Sequence, residues 1–374
     1  MTRPSAPDLD FLVPRHVRSF EPYIPSKPDA ELKKLYRCDH LYRLNNNENP
    51  LGPPEAAQAI IAEFDPERAS LYPSGDSYYL RHALAERFRL DPEQFIVGNG
   101  ANEVITFVIK AFCQEGDNIV TADKTFAVYE WVATFSGIEA RLVPLQDFTF
   151  DDEGMLQRID SRTKILFICN PNNPTGTYWS EERLRRFLER AGPNRIVVLD
   201  EAYAEFVDRP DYPDGMQLLR EYENLVIFRT FSKMYGLAGL RIGYLAASIS
   251  LVDVIRRTGV VYSVNSIAQE AALAALRDDG HVVRTREHVA REKQFLCETA
   301  ERLGIPAQTG EGCFVMMRMP ISDTLVYRKM MQMGVMIRSM TGFRYPNWIR
   351  ISVGLHDAME ACAEALSSVV AGER

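Results

Sequence analysis

The stretch LVIFRTFSKMYGLAGLRIGYL, residues 225–245, decides how the rest of the chain is read. It opens on a short apolar run, passes a threonine and a serine to reach Lys233, and then meets Gly236, Gly239, Arg241 and Gly243 before a second apolar run. Continuous rather than alternating hydrophobicity over so few residues predicts a strand covered on both faces. NIVTAD (118–123), ARLVPL (140–145), ILFICN (165–170) and IVVLDEA (196–202) have the same character, and helical patterns such as SEERLRRFLERAG (180–192) lie between several of them. Strand–helix alternation of this kind predicts an α/β domain built on a mainly parallel sheet.

The pattern changes after about residue 265. Two long helical stretches (265–278 and 281–303) lead to GCFVMMRM, a further helix near 323–333, and the runs VMIRSM and WIRISV. This predicts a smaller α+β C-terminal domain over 265–374, a large domain over 51–264, and an N-terminal segment, 1–50, packing on the small domain and the site. Pro14, Pro22, Pro25, Pro28 and Pro50 predict irregular chain in that first segment. The eight methionines between 316 and 340 are read as flexible core filling rather than a cofactor box.

Composition narrows the function. A chain of 374 residues, 46% hydrophobic, buries a large core, and a net charge of −8 without a basic tract argues against a nucleic-acid or anionic-membrane surface. No apolar window is long enough to span a bilayer, and the N-terminus lacks a leader-like pattern, so a cytoplasmic location is expected. The six cysteines form no C-x-x-C pair and the histidines no H-E-x-x-H, so packed thiols and no metal site are expected.

Ligands of α/β sheets bind beyond the carboxyl ends of strands. Polar clusters follow four of the predicted strands: GNGANE (98–103), NPNNPTG (170–176), DEAY (200–203) and TFSK (230–233). Asp200 suits a helix cap, a rim ion pair, or the counter-charge of a protonated ring nitrogen; Tyr203 could donate to a ring oxygen. Lys233, partly desolvated, loses its proton more readily and adds to an aldehyde. Arg241 brings a rigid fork for a phosphate, Thr230 and Ser232 add hydroxyls, and Gly100, Ala101 and Asn102 open a helix with free N–H groups. Together they describe a site for a phosphorylated aromatic aldehyde. Arg338 and Arg350, each in an apolar run, suit either rim ion pairs or the anionic groups of a substrate.

From about residue 20 to 355 the chain resembles the fold type I, pyridoxal-phosphate-dependent aminotransferases of class I/II, and within them the histidinol-phosphate aminotransferases. The resemblance is carried by EPY, LNNNENPLGP, YPSGDSYYLR, GNGANE, NPNNPTG, DEAYAEF, TFSKMYGLAGLRIGY, GVMIR and RISVG, of which NPNNPTG, DEAY and TFSK in this order are jointly specific. It implies a seven-stranded sheet, pyridoxal 5'-phosphate as cofactor, Lys233 as its covalent anchor and proton shuttle, and Asp200 at the ring nitrogen. It further implies Asn173 and Tyr203 at the ring's 3-oxygen, Phe126 stacked on the ring, and Ala101, Asn102, Thr230, Ser232 and Arg241 at the phosphate. Tyr72 is similar to the tyrosine that reaches the neighbouring subunit's cofactor, implying a homodimer acting on small-molecule amino and keto substrates. Arg350 corresponds to the α-carboxylate arginine, Arg338 to a second-anion contact, and Tyr23 to a residue covering the substrate, where Asn173 also borders it. The reaction implied is histidinol phosphate plus 2-oxoglutarate giving imidazole acetol phosphate plus glutamate. An aromatic or broad-specificity aminotransferase and other chemistry with the same cofactor are the alternatives. A structural or transcription-effector role would need a damaged site or an added DNA-binding module, and the chain shows neither. It departs from the family pattern at Asp123 and Lys124, where many relatives carry a proline, and at Asn46, where a small residue is common.

Overall fold

The computed structural model of the protein describes residues 7–22 and 27–372. Seven strands form the main sheet: β1 Phe95–Gly98, β2 Asn118–Ala122, β3 Glu139–Val143, β4 Thr163–Cys169, β5 Ile196–Asp200, β6 Leu225–Thr230 and β7 Gly243–Ala247. Their spatial order is β1-β7-β6-β5-β4-β2-β3. Pairings from β6 through β5, β4 and β2 to β3 are parallel, whereas β7 runs antiparallel to both β6 and β1. The central strands are buried along nearly their whole length, as continuous apolar runs require.

Helices form where apolar spacing and capping agree. In Glu181–Ala191 the buried side chains are Leu184, Phe187, Leu188 and Ala191, one face at helical spacing, and the Ser180 hydroxyl accepts from the Arg183 N–H. Asn265 caps Ser266–Ala275 in the same way, and Gly304, in a left-handed conformation, ends the long helix Asp279–Leu303.

A second, four-stranded antiparallel sheet contains β8 Ala307–Gln308, β9 Phe314–Arg318, β10 Arg338–Ser339 and β11 Trp348–Ser352, in the order β10-β11-β9-β8. Its apolar cluster draws on the helices Asp279–Leu303, Asp323–Gln332 and His356–Ala371 and is separate from the larger cluster around the main sheet. Seven of the eight methionines between 316 and 340 are buried there or nearby; Met333 is exposed. The division between the clusters does not fall at 264. Ala268, Ala271, Ala272 and Ala275 pack into the larger cluster because their small side chains let Ser266–Ala275 lie against the helix Glu55–Ala62.

The described part of the first fifty residues is more regular than its prolines suggest. Pro14 and Pro28 immediately precede the helices Arg15–Arg18 and Asp29–Tyr36, at positions where a missing N–H breaks no helical bond. Tyr42–Arg43 then pairs in parallel with Val335–Met336, tying the N-terminal segment to the C-terminal part of the chain.

One buried ion pair braces the sheet beside the site. Glu201, wholly buried, accepts two hydrogen bonds from Arg229 on β6, at 2.9 and 2.8 Å. Removing one member of such a pair strands a charge in the core. Arg229→Met is therefore expected to destabilise the fold by about 3–5 kcal/mol, and Arg229→Met with Glu201→Met by clearly less, measured as shifts in urea midpoint.

Candidate active site

A cavity of about 840 Å³ opens where the carboxyl ends of β4, β5 and β6 face the second sheet. Its walls include Ala101, Asn102, Phe126, Asn173, Asp200, Tyr203, Thr230, Ser232, Lys233, Arg241, Arg338 and Arg350. The fold thus brings twelve of the fourteen expected site residues to one space. Tyr72 does not border it: the residue is 83% exposed and stacks on Tyr262, centroids 4.8 Å apart. Tyr23 lies outside the described residues.

Asp200 ends β5 opposite Cys169 of β4. Its Oδ2 accepts from the Tyr129 hydroxyl at 2.5 Å and its Oδ1 from the Ala202 N–H at 3.1 Å. Burial pushes its carboxyl up to about 6 against the pull of these two donors. Among the described residues no cation pairs with it, so an added positive charge would be strongly favoured there. Tyr129 was not singled out from sequence. It lies three residues after Phe126, and its ring stacks on Phe167 at 4.7 Å.

Lys233 follows the last residues of β6 and is half-buried. Its Nζ donates to the Asn46 carbonyl at 2.7 Å. Burial lowers the amine to about 8, with Arg350 and Arg241 acting in the same direction and Cys313 and Glu48 opposing them. Asn45 and Asn47 complete a run to which sequence reading assigned no site role. The Asn45 carbonyl accepts from Arg350 Nη2 at 2.6 Å, and Asn47 Nδ2 donates to the Tyr203 hydroxyl at 2.7 Å. Ser352 of β11 in turn holds Asn47, donating to its Oδ1 and accepting from its N–H. Burial raises the Tyr203 phenol well above its ordinary range, so it keeps its proton.

Gly100, at φ +83°, precedes the helix Ala101–Phe112, and a Cβ there would run into the Arg241 guanidinium. The free N–H groups of that helix start, the Ser232 and Thr230 hydroxyls and Arg241 make a donor set for a phosphate. A carboxylate without a cation, a partly neutral lysine and this cradle fit pyridoxal phosphate in charge and size.

On the opposite wall, Arg338 and Arg350 are direct cross-strand partners of β10 and β11. Arg350 is 4% exposed, donates from Nη1 to Asn173 Oδ1 at 2.5 Å, and leaves Nε without a partner. Burial and the neighbouring Arg338 lower it to about 10, with Tyr203 and Cys313 opposing, so it stays cationic at neutral pH. Among the described residues no carboxylate pairs with either arginine. Like charges this close point to an anionic guest.

The charged departures do not enter the cavity. Lys124 pairs with Asp123 at 2.6 Å, and its amine sits 5.5 Å over the Tyr345 ring. Among the described residues no cluster of His, Cys, Asp and Glu could hold a metal, and no helix is long and apolar enough to cross a membrane.

The sequence pattern of the aminotransferase class I and II family matches residues 39–366. This chain belongs to the class I and II aminotransferases. A relative in Anaeromyxobacter, named a histidinol-phosphate aminotransferase, is 37% identical over 361 residues, spanning 96% of this chain and 99% of that one. One of the same name in Moorella thermoacetica is 38% identical over 95% of this chain and 92% of its own length. Among solved structures, the histidinol-phosphate aminotransferase of Sinorhizobium meliloti in complex with pyridoxal 5'-phosphate superposes with a TM-score of 0.87 at 24% identity, covering 96% and 98% of the two chains. A Thermus thermophilus aspartate aminotransferase mutant reaches 0.83 at 24% identity, covering 96% and 99%. The aminotransferase has the α/β architecture of fold type I, with its cavity where this family's sheet ends.

If burial sets the reactivity of Lys233, an amine-acylating reagent applied to cofactor-free protein should label it ahead of surface lysines at neutral pH. Its rate should rise with pH to a midpoint near 8, the value burial imposes, as read by peptide mass mapping. A midpoint at the ordinary lysine value would show a solvated amine.

Proposed function

We propose that this aminotransferase uses pyridoxal 5'-phosphate to move the amino group of histidinol phosphate to 2-oxoglutarate, giving imidazole acetol phosphate and glutamate. One observation carries the reading: Lys233, Asp200 and two arginines face a single cavity, and among the described residues neither Asp200 nor either arginine has an ion-pair partner. The names of the relatives, close in identity across nearly the whole chain, support the choice of substrate.

When bound, the cofactor supplies an aldehyde to carry the amino group and a pyridine ring to draw electrons from the donor's Cα. Lys233 Nζ, part-neutral at physiological pH, anchors the cofactor, takes the Cα proton and returns it. The Asn46 carbonyl orients that amine. Asp200 sets a negative charge at the ring nitrogen, with Tyr129 fixing the carboxylate's orientation. Tyr203 presents its proton to the ring oxygen and Asn173 its amide, while Phe126 covers the ring face. Ala101, Asn102, Thr230, Ser232 and Arg241 hold the phosphate. Arg350 takes the α-carboxylate of amino-acid partners, and Arg338 the second anion, whether substrate phosphate or glutamate side chain. Tyr72, exposed and outside its own chain's cavity lining, is assigned to the cofactor phosphate of the partner in a homodimer, and Tyr23 to covering the substrate. Residues from about 51 through the helix Ser266–Ala275, which supply most of the larger apolar cluster, form the cofactor-binding part, and the remainder with the N-terminal segment the substrate-gripping part.

Trp131, Phe135 and Phe343 also line the cavity and favour a second reading, an aminotransferase of aromatic amino acids. A donor panel of histidinol phosphate, phenylalanine, tyrosine, aspartate, arginine and glutamate, followed as keto product, separates the two. Histidinol phosphate is expected to have the highest kcat/KM, and Arg338→Ala to lower it about 100-fold while phenylalanine falls less than about 5-fold. Phenylalanine leading the panel would replace the first reading with the second.

The shared site has its own test. Tyr72→Ala and Lys233→Ala chains, each nearly inactive alone, are expected to regain activity when unfolded together and refolded as mixed dimers, since one site then has both residues intact. No recovery would remove Tyr72 from the neighbouring site.

A further inference from the structure

The segment Ser339–Asn347, between the two cavity arginines, is built as one rigid piece. Buried Asp323 accepts from the Ser339 hydroxyl at 2.5 Å, from the Thr341 N–H and hydroxyl at 2.8 and 2.7 Å, and from the Asn347 N–H at 3.1 Å. At its tip the Phe343 ring lies 5.7 Å from the Arg338 guanidinium and 5.9 Å from that of Arg350. One ring thus faces both guanidinium groups and roofs the place where their anions would sit.

The next residue fastens this tip across the cavity. Arg344 donates from Nη2 to both carboxylate oxygens of Glu130, at 2.8 and 3.0 Å, and from Nη1 to the Asp123 carbonyl at 2.8 Å. Glu130 belongs to the helix Val128–Phe135, whose Tyr129 grips Asp200, and Phe126 lies just before that helix. Tyr345 adds to the seam, stacking on Phe148 at 5.9 Å and lying under the Lys124 amine. The second sheet's anion wall is therefore latched to the helix behind the ring-nitrogen carboxylate by a three-bond clamp. Asp123 and Lys124, the charged departure in the sequence, belong to that clamp and not to the cavity.

We infer that Arg344 is a positioning residue for the amino donor: by clamping Glu130 and the Asp123 carbonyl, it holds Phe343 over Arg338 and Arg350 at the spacing their anions require. The inference rests on the reading that these arginines take the donor's anionic groups. Arg344 and Glu130 are partly exposed, and such pairs contribute little to stability. A merely structural role would leave substrate binding alone, whereas a positioning role moves KM.

The test is steady-state kinetics of the holoenzyme with histidinol phosphate. Arg344→Ala and Glu130→Ala are each expected to raise KM about tenfold, with kcat within about threefold and Tm nearly unchanged. The double variant should be no worse than either single one, and Arg344→Lys should recover part of the loss, since one ammonium keeps the charge but not the fork. A KM within about twofold of wild type in Arg344→Ala, or effects that multiply in the double variant, would overturn the inference. Wild-type enzyme inactive on histidinol phosphate would sink the substrate assignment alone. The same comparison is then read on phenylalanine, whose carboxylate still needs Arg350, with the same two outcomes deciding it.

Discussion

Three ionisable groups line one cavity, and among the described residues none of them is in direct ion-pair contact with an opposite charge. The carboxylate at the end of β5, the amine beyond β6 and the guanidinium on β11 each bear the cost of desolvation, which a folded chain tolerates only at a few places. Everything around them keeps that arrangement from relaxing. The sheet supplies a rigid rim, the buried Glu201–Arg229 pair stiffens it, and carbonyl oxygens of the Asn45–Asn47 run restrain the cations without neutralising them. A ligand with a cationic ring nitrogen, an aldehyde and several anionic groups satisfies all three at once.

Much of this was legible in the sequence because it depends on short-range signals. Continuous apolar runs marked the parallel strands, and polar clusters directly after them marked the rim. Chain direction alone then gathers DEAY, TFSK and NPNNPTG at one edge. The family resemblance added roles, and Arg338 and Arg350 needed it most, since nothing local shows that two separate apolar runs become adjacent antiparallel strands.

The rest was hidden for physical reasons. Tyr129 reads as an ordinary core aromatic on a helix, and only the packing of that helix against β2 and β3 sets its ring on Phe167 and its hydroxyl at Asp200. The Asn45–Asn47 run works largely through its backbone, which no side-chain pattern records. Prolines misled in the N-terminal segment because their effect depends on whether they stand before a helix or inside it. The core that Ser266–Ala275 joins was not legible because an alanine-rich helix has no strong apolar stripe to say which cluster it packs on.

The pairing of Tyr42–Arg43 with Val335–Met336 has a consequence for how the molecule is made. A ribosome releases the first partner well before the second, with every strand of the main sheet between them. The main sheet can form in the interval, but the loop that restrains the lysine and the guanidinium gains its strand partner, and the Ser352 hydroxyl that holds Asn47, only afterwards. The strands of the main sheet therefore leave the ribosome before the strand that carries Arg350, and the reactive centre is completed after its scaffold.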